Sequence, residues 1–302
     1  MKIYIVEGGI GKHVIFTSLI PKLAEKEKII VLSSYPDIYE GNPYVFRSLG
    51  RGNAFAWDDF IIKDEHEICF CEPYFNSDFI KNKISLREAW CKGHNIDFEE
   101  TMLPQLYLSS YYRENAFNFK RQNGPFVVVQ FSGGQSPLSV NLSQSYSPAG
   151  QLKNYPVNLA QEVVTLLQQK YSLKVLNYTI QNEGYNFDNT LTLNAPYLYY
   201  AALLEQAEFF ITIDSSLIHY GGALKKKGIT LWGSTSPVGL GYDFHVNLTN
   251  ECQYKTPHCN KPYVRDLCDY IGNGERWKCN NPTCMLISPA AIDEQIEKLL
   301  RR

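Results

Sequence analysis

Phe209-Phe-Ile-Thr-Ile213 followed by Asp214-Ser-Ser216-Leu-Ile-His219-Tyr-Gly-Gly-Ala-Leu224 and then Gly228-Ile-Thr-Leu-Trp232 is the stretch that decides the fold. The first five residues form a short apolar, β-branched run of the kind that is buried on both faces of a parallel sheet. It ends on a polar turn, the turn opens a helix over 216–224, and a second apolar run follows. Strand, polar turn, helix, strand is a parallel α/β unit.

Reading backwards, the same alternation continues. A helix is predicted over Tyr197 to Ala207, a strand over Lys174 to Tyr178, a helix over Val157 to Lys170 and a strand over Phe126 to Phe131. Such strict alternation predicts a doubly wound parallel sheet. Gln122-Asn-Gly-Pro125, with its turn chemistry, separates this half from an earlier one. There Ile3 to Val6 and Lys28 to Ser33 read as strands flanking a glycine turn and a helix with Phe16, Leu19, Ile20 and Leu23 on one face. Pro21 should kink or split that helix. Val45 to Leu49 and Glu67 to Cys71 read as further strands, Ser77 to Trp90 as helix, Gln105 to Ser109 as the last strand of this half, and Tyr112 to Gln122 as helix. Ser288-Pro289 starts a terminal helix (289–301) with Ile292, Ile296, Leu299 and Leu300 as its apolar stripe. Two Rossmann-like α/β domains, 1–123 and 124–302, are therefore expected, which suits a chain of 302 residues.

With 44% hydrophobic and 20% charged residues, each half can build a core. The 29 Lys and Arg against 31 Asp and Glu leave no global field for nucleic acid or an anionic membrane. No run approaches a transmembrane length, and Met1 leads straight into a strand, so a cytoplasmic protein is expected. Five of eight cysteines fall in the segment 252–284. Their spacing lacks paired CxxC units. Either buried thiols or a structural zinc or iron site built from Cys259, Cys268, Cys279 and Cys284 would account for them.

Ligands of open parallel sheets bind beyond the carboxyl ends of the strands, where backbone amides and helix N-termini meet phosphate. Three such ends are polar and rich in small residues: Glu7-Gly-Gly9-Ile-Gly11-Lys12-His13, Gln130-Phe-Ser132-Gly133-Gly-Gln135 and Ile213 to His219. The first is not a nucleoside-triphosphate loop, because Val6 and His13 stand where that motif needs Gly and Ser or Thr. Nor has it the GxGxxG spacing of a dinucleotide site.

The segment Asp214 to Ala223, followed by Thr230-Leu-Trp-Gly233-Ser-Thr-Ser-Pro237, resembles the C-terminal signature of glycosyltransferase family 9, which includes the ADP-heptose transferases. Ser136-Pro137 and Gln151-Leu-Lys153-Asn-Tyr-Pro156 are similar to the family's lysine-bearing loop at the donor phosphates, and Glu183 to its acidic residue near the nucleoside. The resemblance implies a GT-B architecture, two Rossmann-like domains facing across a cleft. It also implies transfer of a sugar, with inversion, from a nucleoside diphosphate sugar, an ADP-heptose-like donor, to an acceptor hydroxyl. That acceptor could be a glycan, lipid-linked, a protein or a modified nucleobase. Gly9, Gly11, Ser132, Gly133, Lys153, Glu183, Asp214, Ser215, Ser216 and His219 are the implied ligand-binding set, with a magnesium ion as an optional partner of the diphosphate.

One position departs from the family. The aspartate that takes the acceptor proton there is Lys12 here, and a lysine at its ordinary pKa is protonated at neutral pH. Glu7 and His13 are the nearest alternative bases. Lys12 itself is expected to face the cleft and touch phosphate. A protein that binds nucleotide sugar or glycan without turnover is the alternative.

Overall fold

The computed structural model describes residues 1–62, 66–133, 153–178, 185–251 and 283–301. The first half contains β1 (Lys2–Val6), α1 (Ile10–Phe16), α2 (Ile20–Leu23), β2 (Ile29–Ser33), β3 (Val45–Gly50), β4 (Glu67–Phe70), α3 (Ser77–Ile80), α4 (Leu86–Gly93) and α5 (Ser110–Asn123). The second contains β5 (Phe126–Gln130), α6 (Val157–Gln169), β6 (Lys174–Asn177), α7 (Tyr197–Gln206), β7 (Phe210–Ile213), α8 (Ser216–Leu224), β8 (Gly228–Trp232), β9 (Val246–Thr249) and α9 (Pro289–Leu300). The strands form two parallel sheets in the orders β3-β2-β1-β4 and β6-β5-β7-β8-β9.

The central strands are the continuous apolar runs. Every residue of β2, β5, β7 and β8 is buried, as a parallel strand covered on both faces must be. Helix α6 buries Ala160, Val163, Val164 and Leu167, one stripe at helical spacing, beneath the second sheet. Pro21 sits in the first turn of α2, so the helix splits there, as its fixed φ and missing N–H require.

Three elements differ from the sequence reading. The helix expected over 77–90 is two, because Asn76 and Ser85 each cap a start and Asn82 between them has φ 58°. Residues 105–109 form no strand; the Gln105 amide instead donates to the Thr17 hydroxyl (2.8 Å), tying an extended connection to the end of α1. β9 extends the second sheet by a strand too short to stand out in the sequence.

The two halves share one continuous core, in which Val14, Phe16 and Trp90 join Tyr178, Leu217 and Tyr220. Helix α1 packs on α8, and α5 packs on α7, with Arg113 pairing to Glu205 and Lys120 to Glu208. No helix among the described residues is long and apolar enough to cross a membrane.

Candidate functional site

In both sheets the winding changes direction beside one strand end, between β1 and β4 and between β5 and β7. These switch points open crevices at the carboxyl edges. The chemistry-bearing residues gather at both.

At the second sheet, β5 delivers Gln130 and then Ser132 and Gly133, while β7 delivers Asp214. Ser215 caps α8: its Oγ accepts from the Leu217 amide (3.3 Å) and donates to Gln130 Oε1 (2.6 Å), which ties the β5 and β7 ends together. The Gly133 amide donates to Asn154 Oδ1 (3.1 Å), holding the turn that carries Lys153. Lys153 Nζ reaches Asp214 Oδ2 at 2.5 Å. Burial works to raise the Asp214 carboxyl, but the Lys153 ammonium, with Thr235 and His219 nearby, holds it below the usual carboxylate range. Asp214 is thus an ionised anchor for a lysine that itself keeps 28% of its side chain exposed.

His219 lies one turn into α8, with Nδ1 3.1 Å from the Tyr242 hydroxyl. Burial pushes its pKa down to about 4 despite Asp214, so at neutral pH it is a neutral hydrogen-bonding ring rather than a cation. Its other edge faces the first half. A Cβ added to Gly11 would stand 2.7 Å from His219 Cδ2 and 3.6 Å from Ser216 Cα, so the glycine permits α1 to approach α8. Arg87 of α4 completes the arrangement, lying over the Tyr242 ring at 5.4 Å and donating to the Glu100 and Met102 carbonyls.

At the first sheet, Gly8 has φ 103° and Gly9 precedes α1 without a side-chain cap. Lys12 does not face the cleft as its place in a glycine loop suggested. Its stem folds under Gly8, its ammonium pairs with Glu72 Oε2 at 2.6 Å, and the rings of Tyr74 and Trp90 lie 5.3 and 5.5 Å away. With 5% of its side chain exposed, Lys12 needs that carboxylate. His13 is fully buried, between Ser33 Oγ (3.0 Å) and Tyr39 OH (2.9 Å), and burial takes it down to about 4. It packs the interior, against Tyr35 and Tyr39. Glu7 pairs with Arg51 (2.8 Å).

The structure therefore brings Ser132, Gly133, Lys153, Asp214, Ser215, Ser216, His219, Gly11 and, through the loop, Gly9 to neighbouring positions. Glu183, Cys259, Cys268 and Cys279 lie outside the described residues, as do Ser136 and Pro137. Cys284 is buried in the core of the second sheet. Glu72, Arg87 and Tyr242 are not among the residues that the sequence singled out, and Gln130 is named there only as part of a strand end. Glu72 had a signal, because it follows a strand whose carboxyl end belongs on this edge; Tyr242 and Arg87 come in by tertiary packing alone.

The paired parallel sheets and their helices define the GT-B fold. Residues 181–262 match the sequence model of glycosyltransferase family 9 (heptosyltransferase), the family that the chain resembles. In fold, it is similar to the family 9 glycosyl transferase of Veillonella parvula, with a TM-score of 0.69 at 12% identity over 99% of this chain and 96% of that one. It is also similar to ADP-heptose LPS heptosyltransferase II of E. coli (TM-score 0.63, 12% identity, 99% and 98% covered). A third similar structure is the iron-containing dodecameric glycosyltransferase TibC of enterotoxigenic E. coli (0.61, 15%, 99% and 78%). No curated protein matches the sequence.

Proposed function

We propose that this protein is an inverting glycosyltransferase that takes a nucleoside diphosphate sugar of the ADP-heptose type and passes the sugar to an acceptor hydroxyl. The observation that carries the reading is the convergence of Lys153, the start of α8 and His219 at the switch point of the second sheet. A departing diphosphate gathers negative charge, and it is stabilised by donors already in place. The amides of Ser215 and Ser216 at the start of α8 offer such donors, and the helix dipole adds to them. Lys153, half tethered to Asp214, can turn its ammonium to phosphate, and neutral His219 can donate from Nε2. Among similar structures, TibC is known in complex with ADP-D-β-D-heptose and WaaC of E. coli with ADP, which supports the donor class.

In this reading the donor lies against 124–302 and the acceptor against 1–123. The acceptor hydroxyl in this reading belongs to a glycan, a lipid-linked molecule, a protein or a modified nucleobase. Among the described residues the buried carboxylate at this end, Asp214, is engaged by Lys153, so a magnesium ion would be held there chiefly by diphosphate oxygens and water. Diphosphate charge is assigned to Lys153 and the helix start. The alternative without turnover drew on Lys12 in place of an acid, and Glu72 beside it weakens that argument.

The test is thermal stabilisation by ADP, other nucleoside diphosphates and a panel of nucleotide sugars, followed by product analysis with the best ligand. A ligand at 100 times its Kd should add about 2.7 kcal/mol. If no nucleoside diphosphate or nucleotide sugar stabilises the protein, the reading is wrong.

A further inference from the structure

Attack by a hydroxyl on a sugar carbon needs somewhere for the proton to go. Two carboxylates stand at the β1 and β4 ends. The register pairs Ile5 with Phe70, so continuing it two residues sets Glu72 level with Glu7 across the β1/β4 switch point. They differ in their partners. Glu7 is drawn to Arg51, beyond the end of β3, the opposite edge of the sheet from β4. Glu72 is drawn to Lys12, the residue after Gly11, whose backbone meets His219 and Ser216 of the second half.

We propose that Glu72 is the proton acceptor of the transfer reaction, with Lys12 as the positioning residue that holds it; this rests on the glycosyltransferase reading above. The carboxylate is fixed from two sides, since Oε2 binds Lys12 and Oε1 accepts from the Tyr74 amide at 3.2 Å. Each oxygen has a second lone pair, and 23% of the side chain remains exposed, so a hydroxyl can reach it. Lys12 cannot reach out in the same way, being covered by Tyr74, Trp90 and the Gly8 turn. Gly8 serves this arrangement twice, through its positive φ and because a Cβ would stand 3.0 Å from the Lys12 stem. In the step itself, the acceptor oxygen forms a bond to the anomeric carbon. The bond from that carbon to the diphosphate oxygen breaks with its electron pair on the oxygen, and the acceptor proton passes to Glu72, which later loses it to water.

The experiment uses ADP-D-β-D-heptose and reads ADP release with water as acceptor, ADP affinity, and formation of glycosyl azide when azide is added. Azide is an anion with no proton to lose, so it bypasses a missing base. Glu72→Gln should lower water-dependent release by about 10²- to 10⁴-fold, keep ADP affinity within about twofold of wild type, and recover release with azide. Glu7→Gln should stay near wild type. Lys12→Met should lower kcat without weakening ADP binding, and Lys12→Arg should restore most of it. Because Glu72→Gln strands a buried lysine, the neutral pair Lys12→Met/Glu72→Gln is made as well, and it should be slow with water and rescued by azide. Full hydrolysis by Glu72→Gln or by the neutral pair, or a loss that azide does not repair in a variant that still binds ADP, would overturn the assignment to Glu72 alone. A wild-type protein that binds neither ADP nor any other nucleoside diphosphate or nucleotide sugar would remove the glycosyltransferase reading and this inference together.

Discussion

Gly11 and His219, from the first helix of one half and the signature helix of the other, meet with room for a hydrogen and nothing larger: a Cβ on Gly11 would lie 2.7 Å from His219 Cδ2. The glycine loop is therefore a hinge of contact between the halves as well as an expected ligand-binding turn. Gly11→Ala should wedge α1 from α8, at an overpacking cost of about 1–3 kcal/mol, and displace His219. Gly9 has nothing within 4 Å of an added Cβ and stands at the N-cap of α1. Gly9→Ser should therefore be neutral or slightly stabilising. Chemical denaturation of the two variants separates them, and equal stabilities would show that the close approach does not matter.

How far the sequence foretold this arrangement depends on whether one element suffices to specify it. Phe126 to Gln130 and Gly228 to Trp232 are legible because a continuous β-branched run has few other uses than a central parallel strand. Asp214 and Ser215 are legible because a strand end followed by a helix cap is a local pattern. Gln105 to Ser109 misleads because its alternation serves packing against the core, with Thr17 rather than a neighbouring strand meeting the Gln105 amide. The Lys12–Glu72 pair was hidden for a different reason. Its partners are 60 residues apart, and only the β1–β4 pairing places them side by side.

Lys153 and Asp214 form a pair whose two ends are unequal: 28% of the lysine side chain is exposed but 8% of the aspartate. Lys153→Met leaves a buried carboxylate without its cation and should cost about 3 kcal/mol, the lower end for a broken buried pair. Asp214→Asn leaves a lysine that can turn to water and should cost about 1 kcal/mol or less. The double variant should recover at least half of the Lys153→Met loss while still binding ADP weakly. Additive costs in the double-mutant cycle would mean that the pair contributes no coupling.

Tyr242 is expected to set the tautomer of His219, whose Nδ1 lies 3.1 Å from the tyrosine hydroxyl. Burial keeps the phenol protonated far above neutral pH, and with the hydroxyl as the expected donor to Nδ1 the ring proton is expected on Nε2, the side toward Gly11. Tyr242→Phe frees the ring to choose either tautomer. With one hydrogen bond of about 1 kcal/mol at stake, kcat for ADP release should fall roughly five- to tenfold, and ADP affinity should change much less. Unchanged kcat would show that the tautomer of His219 carries no weight in the reaction.

Acid should unfold this protein through its histidines before its carboxylates. His13, His94, His219 and His245 are each pushed by burial from 6.5 to about 4. Between those two pH values the unfolded chain binds protons that the folded chain refuses, so stability rises with pH across the window and is lost as pH falls from 6.5 toward 4. The slope is at most about 1.4 kcal/mol per pH unit for each ring. Asp214 acts lower down: its carboxyl is held below the unfolded value of 3.8, so its contribution is present above that value and disappears beneath it. His94 offers the cleanest check, since it stacks on Trp90 at 5.6 Å with an interplanar angle of 6°, and its Nε2 has no hydrogen-bond partner among the described residues. His94→Phe keeps the stack and discards the titration. Its stability at pH 7.5 should stay within about 1 kcal/mol of wild type, while its loss between pH 6.5 and 4.5 should be smaller by up to about 1.4 kcal/mol per unit. Urea unfolding at a series of pH values measures both, and parallel curves for the two proteins would mean that His94 titrates normally in the folded state.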